Sequence, residues 1–204
     1  MFINRVVFKG APGQLGPLGD ALRRLIQPGD GSVLAMRLWG DGPYFALLRA
    51  YETLDAVQKA REAFTPDPAF AARLPTLLTV PPISELWELP DVSTANPPAG
   101  VGRFTTRFSF APAPGNGADV LAAVRETAQR LTAAGNPHSL WLRVSGGPAT
   151  VGMVGSFENL AALEKARAAA LADPALRERT LKLIPLLAAP VETPDVFELL
   201  VRPQ

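Results

Sequence analysis

The sequence predicts an α+β fold in which one βαββαβ unit occurs twice in tandem. Three observations predict it: segments that recur about a hundred positions apart, the same order of strand and helix periodicities in each copy, and a Pro- and Gly-rich tract between them. Phe8-Lys9-Gly10-Ala11-Pro12-Gly13-Gln14 returns as Phe110-Ala111-Pro112-Ala113-Pro114-Gly115-Asn116, 102 positions on. Tyr51-Glu52-Thr53-Leu54 returns as Phe157-Glu158-Asn159-Leu160, and Lys59-Ala60-Arg61 as Lys165-Ala166-Arg167, both 106 positions on. Leu86-Trp87-Glu88-Leu89 returns as Val196-Phe197-Glu198-Leu199, 110 positions on. The offset drifts only where loops are expected. Such a period is too long for a solenoid and makes each copy the size of a domain.

The first copy runs as follows. Phe2 to Phe8 alternates, with Phe2, Val6 and Phe8 on one face and Ile3, Arg5 and Val7 on the other, so it is a strand. Gly10 to Gly16 is a loop of turn formers. Leu18 to Gln27 carries Leu18, Leu22, Leu25 and Ile26 at helical spacing, and Pro28-Gly29 ends it. Val33 to Trp39 and Tyr44 to Tyr51 alternate around Gly40-Asp41-Gly42-Pro43, which predicts a hairpin. A helix spans about 54–64. Asp67-Pro68 starts another, with Asp as N-cap and Pro at the first helical position. Ile83 to Leu89 is the last strand.

The second copy repeats the order. Strands are expected over 103–110, 139–145, 150–156 and 194–201, and helices over 118–134 and 160–187. The repeats therefore occupy residues 1–90 and 103–204, and residues 91–102, with Pro97-Pro98 and two glycines, form the linker.

This order is the ferredoxin-like split βαβ, four antiparallel strands with both helices on one face. Two copies on one chain can cover each other's helix-free faces. The pattern resembles the dimeric α+β barrel superfamily, which includes antibiotic-biosynthesis-monooxygenase-like, EthD-like and NIPSNAP-like proteins. The resemblance implies an intramolecular, pseudo-dimeric barrel with a small-molecule cavity inside it or between sheet and helices. It implies a monooxygenase-like or isomerase-like enzyme that works without a cofactor; a non-catalytic ligand-binding or structural module is the alternative. Haem-binding barrels related to chlorite dismutase share the duplicated plan, so haem is a third, weaker reading, and no other cofactor is expected.

Charged residues inside strands narrow the site. Arg5 matches Arg107, Arg37 matches Arg143, and Glu88 matches Glu198. On the second strand Leu34, Met36 and Leu38 form the apolar face that belongs under the helices. That sends Arg37 and Trp39, with Trp141 and Arg143 of the second copy, toward the barrel interior. Arg5 and Arg107 join them. A buried arginine requires a carboxylate, a carbonyl or a ligand. Two readings follow: structural ion pairs among Arg5, Arg107, Glu88 and Glu198, or a clamp on an anionic or carbonyl-bearing ligand. The copies also differ. Trp39 becomes Ser145, Ala35 becomes Trp141, Tyr44 becomes Thr150 and Ser32 becomes His138, so one half can hold a roomier cavity. Gly152 and Gly155 lie within a strand, where a ligand or backbone can approach closely. The ligand-binding candidates are Arg37, Trp39, Tyr44, His138, Trp141 and Arg143.

Composition excludes other classes. The 204 residues carry a net charge of +1 and no basic run, which argues against nucleic acid. No apolar stretch approaches the roughly 20 residues of a membrane span. There is no cysteine and a single histidine, so disulfides, thiolate sites and multi-histidine metal sites are excluded. No phosphate loop, dinucleotide fingerprint or nucleophile elbow is present. The expectation is a cytoplasmic protein, monomeric or homodimeric, with a small-molecule ligand.

Overall fold

The computed structural model describes residues 1–26, 30–39, 42–91, 102–191 and 194–201. The expected linker over 91–102 lies almost wholly outside them, as do the helix stop at Pro28-Gly29 and the turn residues Gly40 and Asp41.

The elements follow one another as β1 (Phe2–Phe8), α1 (Leu15–Leu25), β2 (Ser32–Trp39), β3 (Phe45–Tyr51), α2 (Leu54–Ala63), α3 (Pro68–Leu77) and β4 (Ile83–Glu88). Then come β5 (Phe104–Phe110), α4 (Gly117–Ala133), β6 (His138–Ser145), β7 (Val151–Phe157), α5 (Leu160–Ala172), α6 (Pro174–Leu183) and β8 (Asp195–Val201). Two boundaries differ from expectation. Helix α1 begins at Leu15 rather than Leu18, because Pro17 falls in the first turn, where no intrahelical N–H bond is required. The helix expected over 160–187 is two helices. Pro174 disfavours helical backbone at Asp173, whose carboxylate instead accepts from the N–H groups of Ala175 and Leu176 and caps α6.

The strands close into one antiparallel barrel in the order β1-β3-β2-β8-β5-β7-β6-β4. Within the first half, β1 lies between β3 and β4; within the second, β5 lies between β7 and β8. Two seams join the halves. Trp87 faces Arg143 across β4–β6, and Phe197 faces Arg37 across β2–β8. The architecture is the pseudo-dimeric α+β barrel that the resemblance implies, with the helix-free faces turned on each other.

Strand parity divides the side chains into two layers. Outward residues pack under the helices. Phe8, Leu34 and Phe45 meet Leu18 and Leu22 of α1, and Phe110, Leu140 and Met153 meet Val120 and Val124 of α4. Leu18, Leu22, Leu34 and Val120 are fully buried. Each such side chain contributes about 1.5–3 kcal/mol through burial. Inward residues form the barrel interior, and the candidate site lies among them.

Candidate functional site

The interior has two unlike ends. At one end the inward positions are small or slender: Ala35, Ala46, Ala50, Thr105, Ser139 and Ser156. A cavity of about 1100 Å³ occupies this end. It continues past the start of β6 toward Ala128 and Thr132 of α4. Large side chains stand beside these small ones at the same end. Trp87 is wholly buried and meets Trp141 edge to face, with ring centres 6.1 Å apart. Tyr44 meets Phe197 in the same way at 5.7 Å.

A charged layer closes the floor of the cavity and occupies the other end. Arg5 Nη1 donates to Glu85 Oε2 at 2.5 Å, and Arg143 Nη2 lies 3.4 Å from Glu85 Oε1. In the other half Arg107 Nη2 donates to Asp195 Oδ2 at 2.8 Å, and Arg37 Nη1 lies 3.3 Å from Asp195 Oδ1. Each carboxylate thus holds the first-strand arginine of its own half and an arginine from across a seam. Tyr44 ties the two sets together: its hydroxyl accepts from Arg5 at 2.7 Å and from Arg107 at 3.5 Å. Arg37 stacks over the Tyr44 ring and Arg143 over Trp87, each at 4.8 Å. Burial pushes the Glu85 carboxyl up, but Arg5, the Trp87 N–H and Arg143 outweigh it and hold it below the usual glutamate value, so it is ionised.

The predicted residues fall into distinct places. His138 and Trp141 line the cavity. So do Arg5 and Arg107, which also form the ion pairs expected of them, with Glu85 and Asp195 in place of Glu88 and Glu198. Arg37, Tyr44 and Arg143 lie in the charged layer and outside the cavity lining. Trp39 is not inside: it is 53% exposed at the end of β2, beyond a register shift between Arg37 and Trp39. The shift breaks the alternation that was to carry the ring inward. Glu88 is also misplaced. Inward positions on β4 are Glu85, Trp87 and then Leu89, so Glu88 faces outward. Glu198 forms its ion pair on the outer surface, with Arg103 at 2.7 Å. The interior carboxylates are Glu85 and Asp195, which the sequence reading missed. They stand 110 positions apart, the offset that relates Glu88 to Glu198.

The glycine positions are filled rather than open. A Cβ at Gly152 would lie 3.3 Å from Trp87 Cζ3, and one at Gly155 only 2.6 Å from His138 Nε2. The imidazole therefore rests in the notch of Gly155. Its Nδ1 lies 2.8 Å from the Asn136 carbonyl oxygen, which assigns the proton to Nδ1, and its ring stands edge-on to Phe157. Burial holds its pKa below the usual histidine value against that hydrogen bond, so the ring is neutral near pH 7.

No family model matches the sequence, and no curated protein matches it. Solved structures do match. A "putative monooxygenase" from Fusobacterium nucleatum aligns at TM-score 0.69 with 9% identity, over 98% of this chain and 92% of that one. An anthrone oxidase-like protein aligns at 0.62 with 14% identity, over 98% and 91%. A haem-binding protein from Thermus thermophilus aligns at 0.53 with 13% identity, over 98% of this chain. At such identities the likeness shows the fold, the dimeric α+β barrel. The Nδ1 proton of His138 is held by a carbonyl, which leaves Nε2 as the atom to bind a haem iron, and Nε2 does not fit that role because it is seated against Gly155 beside Thr106. No helix among the described residues is long and apolar enough to cross a membrane.

Proposed function

We propose that the barrel end bounded by the charged layer binds a small, largely apolar organic molecule. The observation that carries this reading is the cavity itself, about 1100 Å³ with mostly apolar walls and two arginines at its floor. That volume and that mixture of an apolar lining with a few polar groups suit a small-molecule site. The two halves make it lopsided, since Trp141 narrows one side where Ala35 stands on the other.

Oxidation of an electron-rich phenol or anthrone is the activity favoured by the likeness to the anthrone oxidase-like protein. An anthrone would be the reductant and dioxygen the oxidant, giving the quinone and water. In this chain the residues to act on such a substrate are Arg5 and Arg107, which would hold the phenolate oxygen formed when its proton is lost. The alternative is a carrier with the same cavity and no turnover.

Quenching of tryptophan emission on titration with anthrone tests binding. Oxygen uptake in the same mixture, above the rate without protein, tests turnover. Quenching without uptake leaves the carrier. Absence of quenching by anthrone and by other aromatic compounds of its size overturns the cavity as a binding site.

A further inference from the structure

We infer that the natural ligand is an organic acid whose anionic oxygens bind at Arg5 and Arg107, with its apolar body lying along Ile3, Val33, Leu48 and Leu199. This rests on the cavity being a binding site.

The charge count comes first. Among the described residues the layer holds four guanidinium groups, Arg5, Arg37, Arg107 and Arg143, against two carboxylates, Glu85 and Asp195. Two positive charges are left uncompensated in a water-poor interior, where an unpaired charge is costly. The donor count agrees. Arg37 Nε and Nη2, Arg107 Nε and Nη1, and Arg143 Nε are buried with no hydrogen-bond partner; of these the Arg107 donors border the cavity, with Nη1 4.0 Å from Glu85 Oε2. Natural interiors seldom leave so many donors unmet. The arginines also act on one another. Burial lowers the Arg143 pKa and Glu85 raises it, while the charges of Arg107 and Arg5 press it down further.

Position then selects the site. Only Arg5 and Arg107 of the four border the cavity, one from each half. Both lean on the Tyr44 hydroxyl, which fixes them side by side. An anion between them would neutralise the excess charge where the layer meets the cavity. Guanidinium pairs bind oxyanions through short charge-assisted bonds. Most of the remaining wall is apolar, so inorganic phosphate would meet the arginines but leave that wall without contact.

The test pairs 2-naphthoate with 2-naphthamide, which share shape and differ in charge. Tryptophan quenching should give naphthoate at least about tenfold tighter binding, and inorganic phosphate at the same concentration should not displace it. A second arm needs no ligand. Thr105 stands two residues before Arg107 on the same inward face and lines the cavity. T105E supplies an internal carboxylate; T105Q is its neutral match. T105E should melt higher than T105Q at pH 7 and lose naphthoate binding that T105Q keeps. Equal affinity for naphthoate and naphthamide, or a T105E no more stable than T105Q, overturns the acid inference and leaves the cavity as a site for neutral molecules. No uptake of either probe, with T105E still the more stable, overturns the binding site and leaves the charged floor standing.

Discussion

Arg143 of β6 and Glu85 of β4 meet inside the barrel, Nη2 to Oε1 at 3.4 Å, at a seam where the two halves close on each other. The same Glu85 holds Arg5 of its own half at 2.5 Å. One carboxylate therefore compensates guanidinium groups from both halves. Removing its charge while keeping its shape leaves them all unpaired in the interior. E85Q should lower stability by about 3–5 kcal/mol, the range for breaking a buried ion pair. E88Q, on the outer face of the same strand, should stay within about 0.5 kcal/mol of the parent. Urea denaturation of both variants checks the contrast, and near-equal midpoints would remove the charged layer as a source of stability.

The fold was legible because a doubled chain repeats its own punctuation. Asp67-Pro68 and Asp173-Pro174 both cap helices, and the offsets of Arg5 to Arg107 and Arg37 to Arg143 both hold in the barrel. The acids were misread for a physical reason. Glu88 and Glu198 are identical residues in matched positions, whereas the interior pair Glu85 and Asp195 differ in type. Parity puts Glu85 with Trp87 on one face and Glu88 on the other. Trp39 was misread because alternation holds only while the ladder keeps register. The cavity was legible only as an imbalance, Ala35 against Trp141. Its size depends on how Leu89, the start of β6 and α4 pack, which no pattern in the sequence reports.

The three tryptophans should separate by solvent access. Trp39 is 53% exposed, Trp141 is 8% and Trp87 is wholly buried. W39F should change stability by no more than about 0.5 kcal/mol, as an exposed site does. It should also remove most of the emission that acrylamide quenches. Emission still readily quenched in W39F would mean that the Trp87–Trp141 pair is open to solvent.

The β6–β7 hairpin depends on Gly146. Its φ is +89°, and a Cβ there would lie 2.3 Å from the Ser84 carbonyl oxygen on β4. Both the left-handed backbone and the clash oppose any side chain. Because Ser84 directly precedes Glu85, relief of the clash would also shift the carboxylate at the seam. G146A should destabilise by roughly 2 kcal/mol or more, whereas G117A, with open space around it at the start of α4, should be neutral or slightly stabilising. Thermal melts of the two variants give the comparison; a G146A that melts with the parent would contradict the close approach of hairpin and β4.

His138 sets a pH dependence with a definite sign. Burial holds its folded pKa below the usual value near 6.5, although the hydrogen bond to the Asn136 carbonyl opposes the shift. As pH falls below about 6.5 the unfolded chain takes up a proton that the folded chain refuses. The unfolded state then binds more protons, so stability rises with pH across this window. The contribution of the neutral imidazole is complete above about pH 6.5 and is lost as pH drops toward the folded value. The slope is limited to one proton, about 1.4 kcal/mol per pH unit. Glu85 acts in a lower window. Its folded carboxyl lies below the usual value, so its contribution persists until pH falls beneath the ordinary glutamate range. H138N retains a donor near the position of Nδ1 and cannot titrate. Melting temperature measured from pH 7.5 to 5 should decline in the parent and stay flatter in H138N. Parallel curves across the upper window would mean that His138 takes up its proton alike in the folded and unfolded chain and that its burial against Gly155 is wrong.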